Sequence, residues 1–198
     1  MTAFDRSSGT IAAIGLLALL APAPVRLAAI AAAPLRPGAP ANTLAVTAPD
    51  EPGTRLTVTG LVRGKDGRPI AGAELHVYQT DATGRYTREK PMDEPHARLS
   101  GRLRTGSDGR FVLHTIRPGG YPQALLLGGR MRKIPAHVHI DVTAPGRSEQ
   151  RFQMVFADDP NFADPYWQDW ARKPGRPQVV AHAEKDGSQS AALVLAIP

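Results

Sequence analysis

The chain has 198 residues, with 24 Lys and Arg against 18 Asp and Glu, 19 glycines, 19 prolines and no cysteine. That length suits one domain, and abundant Gly and Pro without a repeating period point to many turns rather than to a collagen-like or disordered chain. The lack of cysteine excludes a disulfide scaffold, thiolate zinc, an iron–sulfur cluster and a thiol nucleophile, so any metal must be held by His, Tyr or carboxylates.

Residues 1–45 have the layout of an export signal followed by an Ala/Pro-rich linker. Ile11 to Ala21 (IAAIGLLALLA) is apolar and uncharged, Arg6 precedes it, and AAIAAAPLRPGAPA follows. Pro22, Pro24 and Arg26 end the run well short of the ~20 residues that a spanning helix needs. No twin-arginine pair is present, so export in the unfolded state, with any metal acquired afterwards, is expected. The destination is then periplasmic or extracellular, and residues 46–198 form a single domain with no integral membrane span. With Arg6, Arg26, Arg36 and Asp5 set aside the charge is only mildly positive. No Lys/Arg run interleaves with aromatics, so no nucleic-acid partner is expected.

From residue 54 onward the sequence alternates with period two. Leu56, Val58, Gly60 and Val62 form a first run, and Ala73, Leu75, Val77 and Gln79 a second. Phe111, Leu113 and Thr115 follow, then Val138, Ile140 and Val142, then Arg151 to Ala157 and Ala191 to Ile197. Each is a strand candidate. Turn sequences stand between them: Lys65-Asp66-Gly67-Arg68-Pro69, Asp81-Ala82-Thr83-Gly84-Arg85 and Ser107-Asp108-Gly109-Arg110. About seven strands and no long helical period predict an all-β fold, an antiparallel β-sandwich. Residues 158–190, rich in Asp, Pro, Trp and Gly, read as a long C-terminal loop excursion.

The chemistry gathers at four residues. His137 and His139, at i and i+2 of a strand, project from one face, so two ring nitrogens can converge on one ion. Tyr121 sits in the Gly/Pro turn Arg117-Pro118-Gly119-Gly120-Tyr121-Pro122, and Tyr86 closes the turn after Asp81. His76 and Tyr78 also share a strand face, expected to be solvated, and His96, His114 and His182 lack a partnered motif. Trp167 and Trp170 suit either anchors for a covering loop or the wall of a pocket. Asp158-Asp159-Pro160 is expected to turn the chain. Arg130, Arg132 and Lys133 are read as solvated loop charges or as cations reaching back over a pocket near the histidines.

Four segments carry a resemblance: GLVRGKDGRPIAGAELHVYQTDATGRY, RLRTGSDGRFVLHTIRPGGYP, IPAHVHIDVTAPG and FQMVFADDP. Together, from about Thr59 to Pro160, they resemble the intradiol ring-cleavage dioxygenases, the family of protocatechuate 3,4-dioxygenase and catechol 1,2-dioxygenase. The first two segments alone are shared in style with exported transthyretin-like and carboxypeptidase-regulatory-like modules. A non-catalytic binding module of that kind is therefore the alternative. The resemblance implies that Tyr86, Tyr121, His137 and His139 hold a non-haem Fe(III), with Tyr121 and His139 axial and Tyr86, His137 and a hydroxide equatorial. It implies a catechol-type substrate and O2, cleaved to a cis,cis-muconate-type diacid, with Tyr121 released to act as a base and Gln153 at the family's glutamine position. Charge agrees: two phenolates and a hydroxide balance three positive charges, and a phenol of pKa ≈ 10 needs a strong Lewis acid to ionise near neutrality. Three positions depart from the family, which usually has arginine at Ile134, tyrosine at Val155 and tryptophan at Gln123. No helical dimerisation segment is expected between the signal and the sandwich, and a homo-oligomer of protocatechuate type stays open.

Overall fold

Alternating apolar residues pair off into two facing sheets. The computed structural model describes residues 42–198, so the expected export segment, apart from its last residues, lies outside them. In chain order the strands are β1 (Thr43–Ala45), β2 (Arg55–Gly64), β3 (Glu74–Gln79), β4 (Leu99–Arg104), β5 (Arg110–Ile116), β6 (Ala124–Leu127), β7 (Arg130–Lys133), β8 (His137–Thr143) and β9 (Gln150–Phe156). A short helix, α1 (Pro165–Ala171), is followed by β10 (Gln178–Val179), β11 (His182–Ala183) and β12 (Gln189–Ile197). One sheet runs β1-β5-β2-β12-β11, the other β10-β9-β8-β3-β4, and β6 with β7 forms a separate hairpin.

The inward residues interdigitate in one core. Leu56, Val58 and Val62 of β2, Leu113 of β5 and Leu193, Leu195 and Ile197 of β12 meet Leu75, Val77, Val138, Ile140, Val142, Met154 and Phe156 of the other sheet. Burying such side chains contributes about 1.5–3 kcal/mol each. Gly60 keeps the inward period without a side chain because the ring of Phe111, its cross-strand partner, lies 2.1 Å from where a Cβ would stand. Gln79 clamps the sheets together: its amide nitrogen donates to Ile116 O (3.0 Å) and its oxygen accepts from Thr115 Oγ1 (2.9 Å).

The all-β sandwich holds, with differences in detail. The expected antiparallel arrangement is in fact mixed, since β1 runs parallel to β5, β10 to β9, and β12 to β2 along its whole length. Period two assigns faces to a strand but carries no information on the direction of its neighbours. The described residues hold twelve strands rather than about seven. Residues 43–45, within the stretch read as linker, pair with β5 at a sheet edge. The connection from Tyr121 to His137 is not a plain loop but the β6–β7 hairpin, turned by Gly128 and Gly129 at φ +56° and +75°, the primed geometry that strand twist favours. The 158–190 excursion contains α1, too short to show a helical period. No helix among the described residues is long and apolar enough to cross a membrane.

Candidate metal centre

Because Val138, Ile140 and Val142 face the core, His137, His139 and Asp141 project from the outer face of their sheet. Strand register sets Tyr78 of β3 and Gln153 of β9 on either side of His139, and Val155 beside His137. Two turns bring phenols over this face. In the first, Asp81 Oδ1 accepts from the backbone N–H of Thr83 (2.8 Å) and Arg85 (3.2 Å), and Tyr86 follows. The second delivers Tyr121, whose N–H donates to Ile134 O (3.1 Å). Gly119 N–H donates to Asp81 O (2.8 Å) and welds the two turns together. They abut backbone to backbone: a Cβ on Gly84, at φ +82°, would lie 1.9 Å from Gly120 O, and one on Gly119 would lie 2.5 Å from Ala82 O. Asp159, expected only to turn the chain, also accepts from Ala136 N–H (3.0 Å) and so fixes the entry to β8.

The four side chains then converge, all buried. Tyr86 Oη stands 2.9 Å from Tyr121 Oη and 3.0 Å from His139 Nε2, and the two histidine Nε2 atoms are 3.1 Å apart. His137 Nδ1 is 2.8 Å from Pro135 O, which can only accept, so its proton sits on Nδ1 and Nε2 presents a bare lone pair. Burial lowers the pKa of His137, and burial with the neighbouring His137 pushes that of His139 down to about 3. Burial likewise raises the phenols of Tyr86 and Tyr121. Four neutral donors, their lone pairs directed at one another, make a cage that fits a highly charged cation, the one occupant able to make phenols ionise there. Among the described residues no three His, Cys, Asp or Glu side chains gather as a metal site, so the phenols are what completes the donor set.

Two residues around His139 were not anticipated. Tyr78, expected on a solvated face, stacks on the His139 ring (centroids 4.5 Å apart, 8° between planes) and donates its hydroxyl to Glu94 (3.1 Å). The Glu94 carboxylate is itself 3.8 Å from His139 Nδ1. Only the cross-strand register reveals Tyr78, and Glu94 opens a single 3-10 turn, Glu94–His96, between β3 and β4. Gln153 Nε2 lies 3.5 Å from His139 Nδ1.

Beside the cage opens a cavity of about 240 Å³, whose lining includes Tyr121, His137 and Gln153. Ile134, Val155, Phe162, Trp167 and Trp170 form its apolar walls, so the two tryptophans act as both anchors and wall. Trp167 Nε1 donates to Lys133 O (2.9 Å). The basic cluster does not line the cavity: Arg132 pairs with Asp164 at the start of α1 and stacks on Tyr166, while Arg130 and Lys133 are exposed.

Residues 33–195 match the family model described as dioxygenase. A chlorocatechol 1,2-dioxygenase of Rhodococcus opacus is 39% identical over 137 residues, 65% of this chain and 52% of the relative. Catechol 1,2-dioxygenase 1 of Acinetobacter lwoffii is 30% identical over 154 residues, covering 73% and 48% respectively. The chain thus spans about half the length of these curated relatives. Among solved structures, the dioxygenase domain of a dioxygenase carbohydrate-binding protein fusion from Streptomyces sp. SirexAA-E aligns with a TM-score of 0.60 at 26% identity, covering 77% of this chain and 85% of that one. Catechol 1,2-dioxygenase from Acinetobacter sp. ADP1 shares the fold, with a TM-score of 0.62 at 21% identity over 79% and 56%.

Proposed function

The chain belongs to the intradiol ring-cleavage dioxygenase family, and from that premise we propose that it opens catechol-type rings with O2 between the two hydroxyl-bearing carbons, yielding cis,cis-muconate-type diacids. The cofactor proposed is a non-haem Fe(III) on Tyr86, Tyr121, His137 and His139. The observation that carries this is the convergence of two buried phenols and two neutral imidazoles beside a cavity with apolar walls. Ferric iron held by Tyr86, Tyr121, His137 and His139 would supply a Lewis acid that favours the ionised diol and draws electron density from its ring.

The chain's own groups do the rest. Tyr121 borders both the cage and the cavity, where it takes the proton of an arriving diol hydroxyl. His139, stacked on Tyr78 and backed by Glu94, stays in place throughout. Gln153 reaches the cavity from β9 and donates its amide N–H to the substrate's oxygens. Ile134, Phe162 and Trp167 keep water from the reacting ring. The export-like layout of residues 1–45 supports a periplasmic or extracellular location for this activity, which fractionation of expressing cells tests.

Iron-loaded protein is expected to be red-brown from phenolate-to-iron charge transfer, and to consume O2 and catechol in equal amounts with a muconate-type product. Colourless protein without stoichiometric iron overturns this assignment in favour of a binding module.

A further inference from the structure

Resting on the ring-cleavage reading, we propose that the cavity selects neutral catechols with apolar substituents and rejects catechols that carry a carboxylate. A diol held at the cage would lie in the cavity that Ile134, Phe162, Trp167 and Trp170 also line. The lining residues include neither Lys nor Arg.

Three arginines of the surrounding segments are engaged elsewhere, and Arg130 is exposed on the hairpin outside the lining. Arg132 is bound to Asp164 and to Leu127 O. Arg176 lies over the Trp170 ring at 4.1 Å, with its Nη1 donating to Trp170 O. Arg117 forms a two-pronged pair with Asp158 (2.8 and 3.2 Å). A carboxylate entering this space gives up its hydration without gaining a counter-charge, a cost that an apolar substituent does not meet.

The wall's shape adds to the preference. Tyr166, Trp167 and Trp170 are set edge to face in succession, with centroids 5.0 and 5.8 Å apart and planes at 89° and 81°. Ring faces carry negative quadrupole density, which repels an anion and accepts the positive edge of another ring or an alkyl group. Selection by charge thus follows from α1, which the Arg132–Asp164 pair holds over Val155.

The test uses the whole iron-loaded protein titrated with catechol, 4-methylcatechol and 3,4-dihydroxybenzoate. The chain has only two tryptophans, Trp167 and Trp170, and both line the cavity. Quenching of their emission therefore reads binding independently of turnover. The two neutral diols are expected to bind and be cleaved, with the dihydroxybenzoate weaker by at least about tenfold. Leu127→Arg, a change at the half-buried rim, is expected to recover dihydroxybenzoate binding, with the gain falling as salt rises. Equal affinity for all three diols overturns the selection while leaving ring cleavage intact. If none of the three quenches the tryptophans or is cleaved, the ring-cleavage reading falls and the selection with it.

Discussion

His139 is enclosed by the stacked ring of Tyr78, by Gln153 across the strand pair and by the Glu94 carboxylate 3.8 Å from its Nδ1. Nothing comparable holds the Tyr121 hydroxyl, whose one hydrogen-bond partner is Tyr86 and which borders open cavity. A ligand built to stay and a ligand free to leave should fail differently. His139→Ala is expected to lower retained iron at least about tenfold. Tyr121→Phe is expected to keep most of its iron, shift the visible band and lose about 10²–10⁴-fold in turnover with the built-in base. Metal analysis and absorption spectra of the two variants check this, and equal, complete iron loss in both contradicts the assigned roles. Glu94→Gln, which removes the carboxylate charge 3.8 Å from His139 Nδ1, is expected to weaken iron binding about tenfold, measured by competition with a chelator.

Single elements place these residues, and the weld between the two tyrosine turns is the most sensitive of them. Gly84→Ala combines a left-handed backbone with a 1.9 Å approach to Gly120 O, so about 2 kcal/mol or more of stability should be lost in urea unfolding, together with iron binding. The segment after Tyr86 is tied down separately. Arg98 N–H donates to Tyr86 O, and its guanidinium grips Glu51 at 2.6 and 2.8 Å. Arg98 holds the Glu51 carboxyl below its ordinary value of 4.5, so the pair stabilises the fold above that pH and ceases to as pH falls through the lower folded value. Glu51→Gln is expected to cost about 1 kcal/mol at neutral pH, a difference that closes in acid. A difference that persists below the lowered folded value would contradict this origin. The strand faces, the histidine pair and both tyrosine turns were legible in the sequence because each is a local pattern. Tyr78 was not, since its role depends on which residue lies across from it on β8. Gly128-Gly129 did carry a hairpin signal, obscured because Arg130, Met131, Arg132 and Lys133 do not alternate as a half-buried strand does.

At the scale of the whole molecule, the sandwich separates support from chemistry. Inward residues of both sheets form a continuous core, while the site occupies the outer face of one sheet, roofed by the tyrosine turns, the hairpin and α1. Roof substitutions such as Leu127→Arg can therefore alter selectivity with little effect on the core. Ile134 and Val155, where the resemblance implied arginine and tyrosine, pack in one apolar cluster with Trp167 and Ala171 of α1.

The placement of β12 has a further consequence, for biosynthesis. It lies between β2 and β11 and runs parallel to β2 from Leu56 to Gly64, so one of the earliest strands made waits for one of the latest. Pairings this distant along the chain close slowly, and until residues 189–197 are available β2 has a neighbour on one side only. A chain cut after Ser188 is expected to show neither cooperative unfolding nor resistance to protease. During synthesis the same dependence leaves β2 half-paired until the last strand has been made.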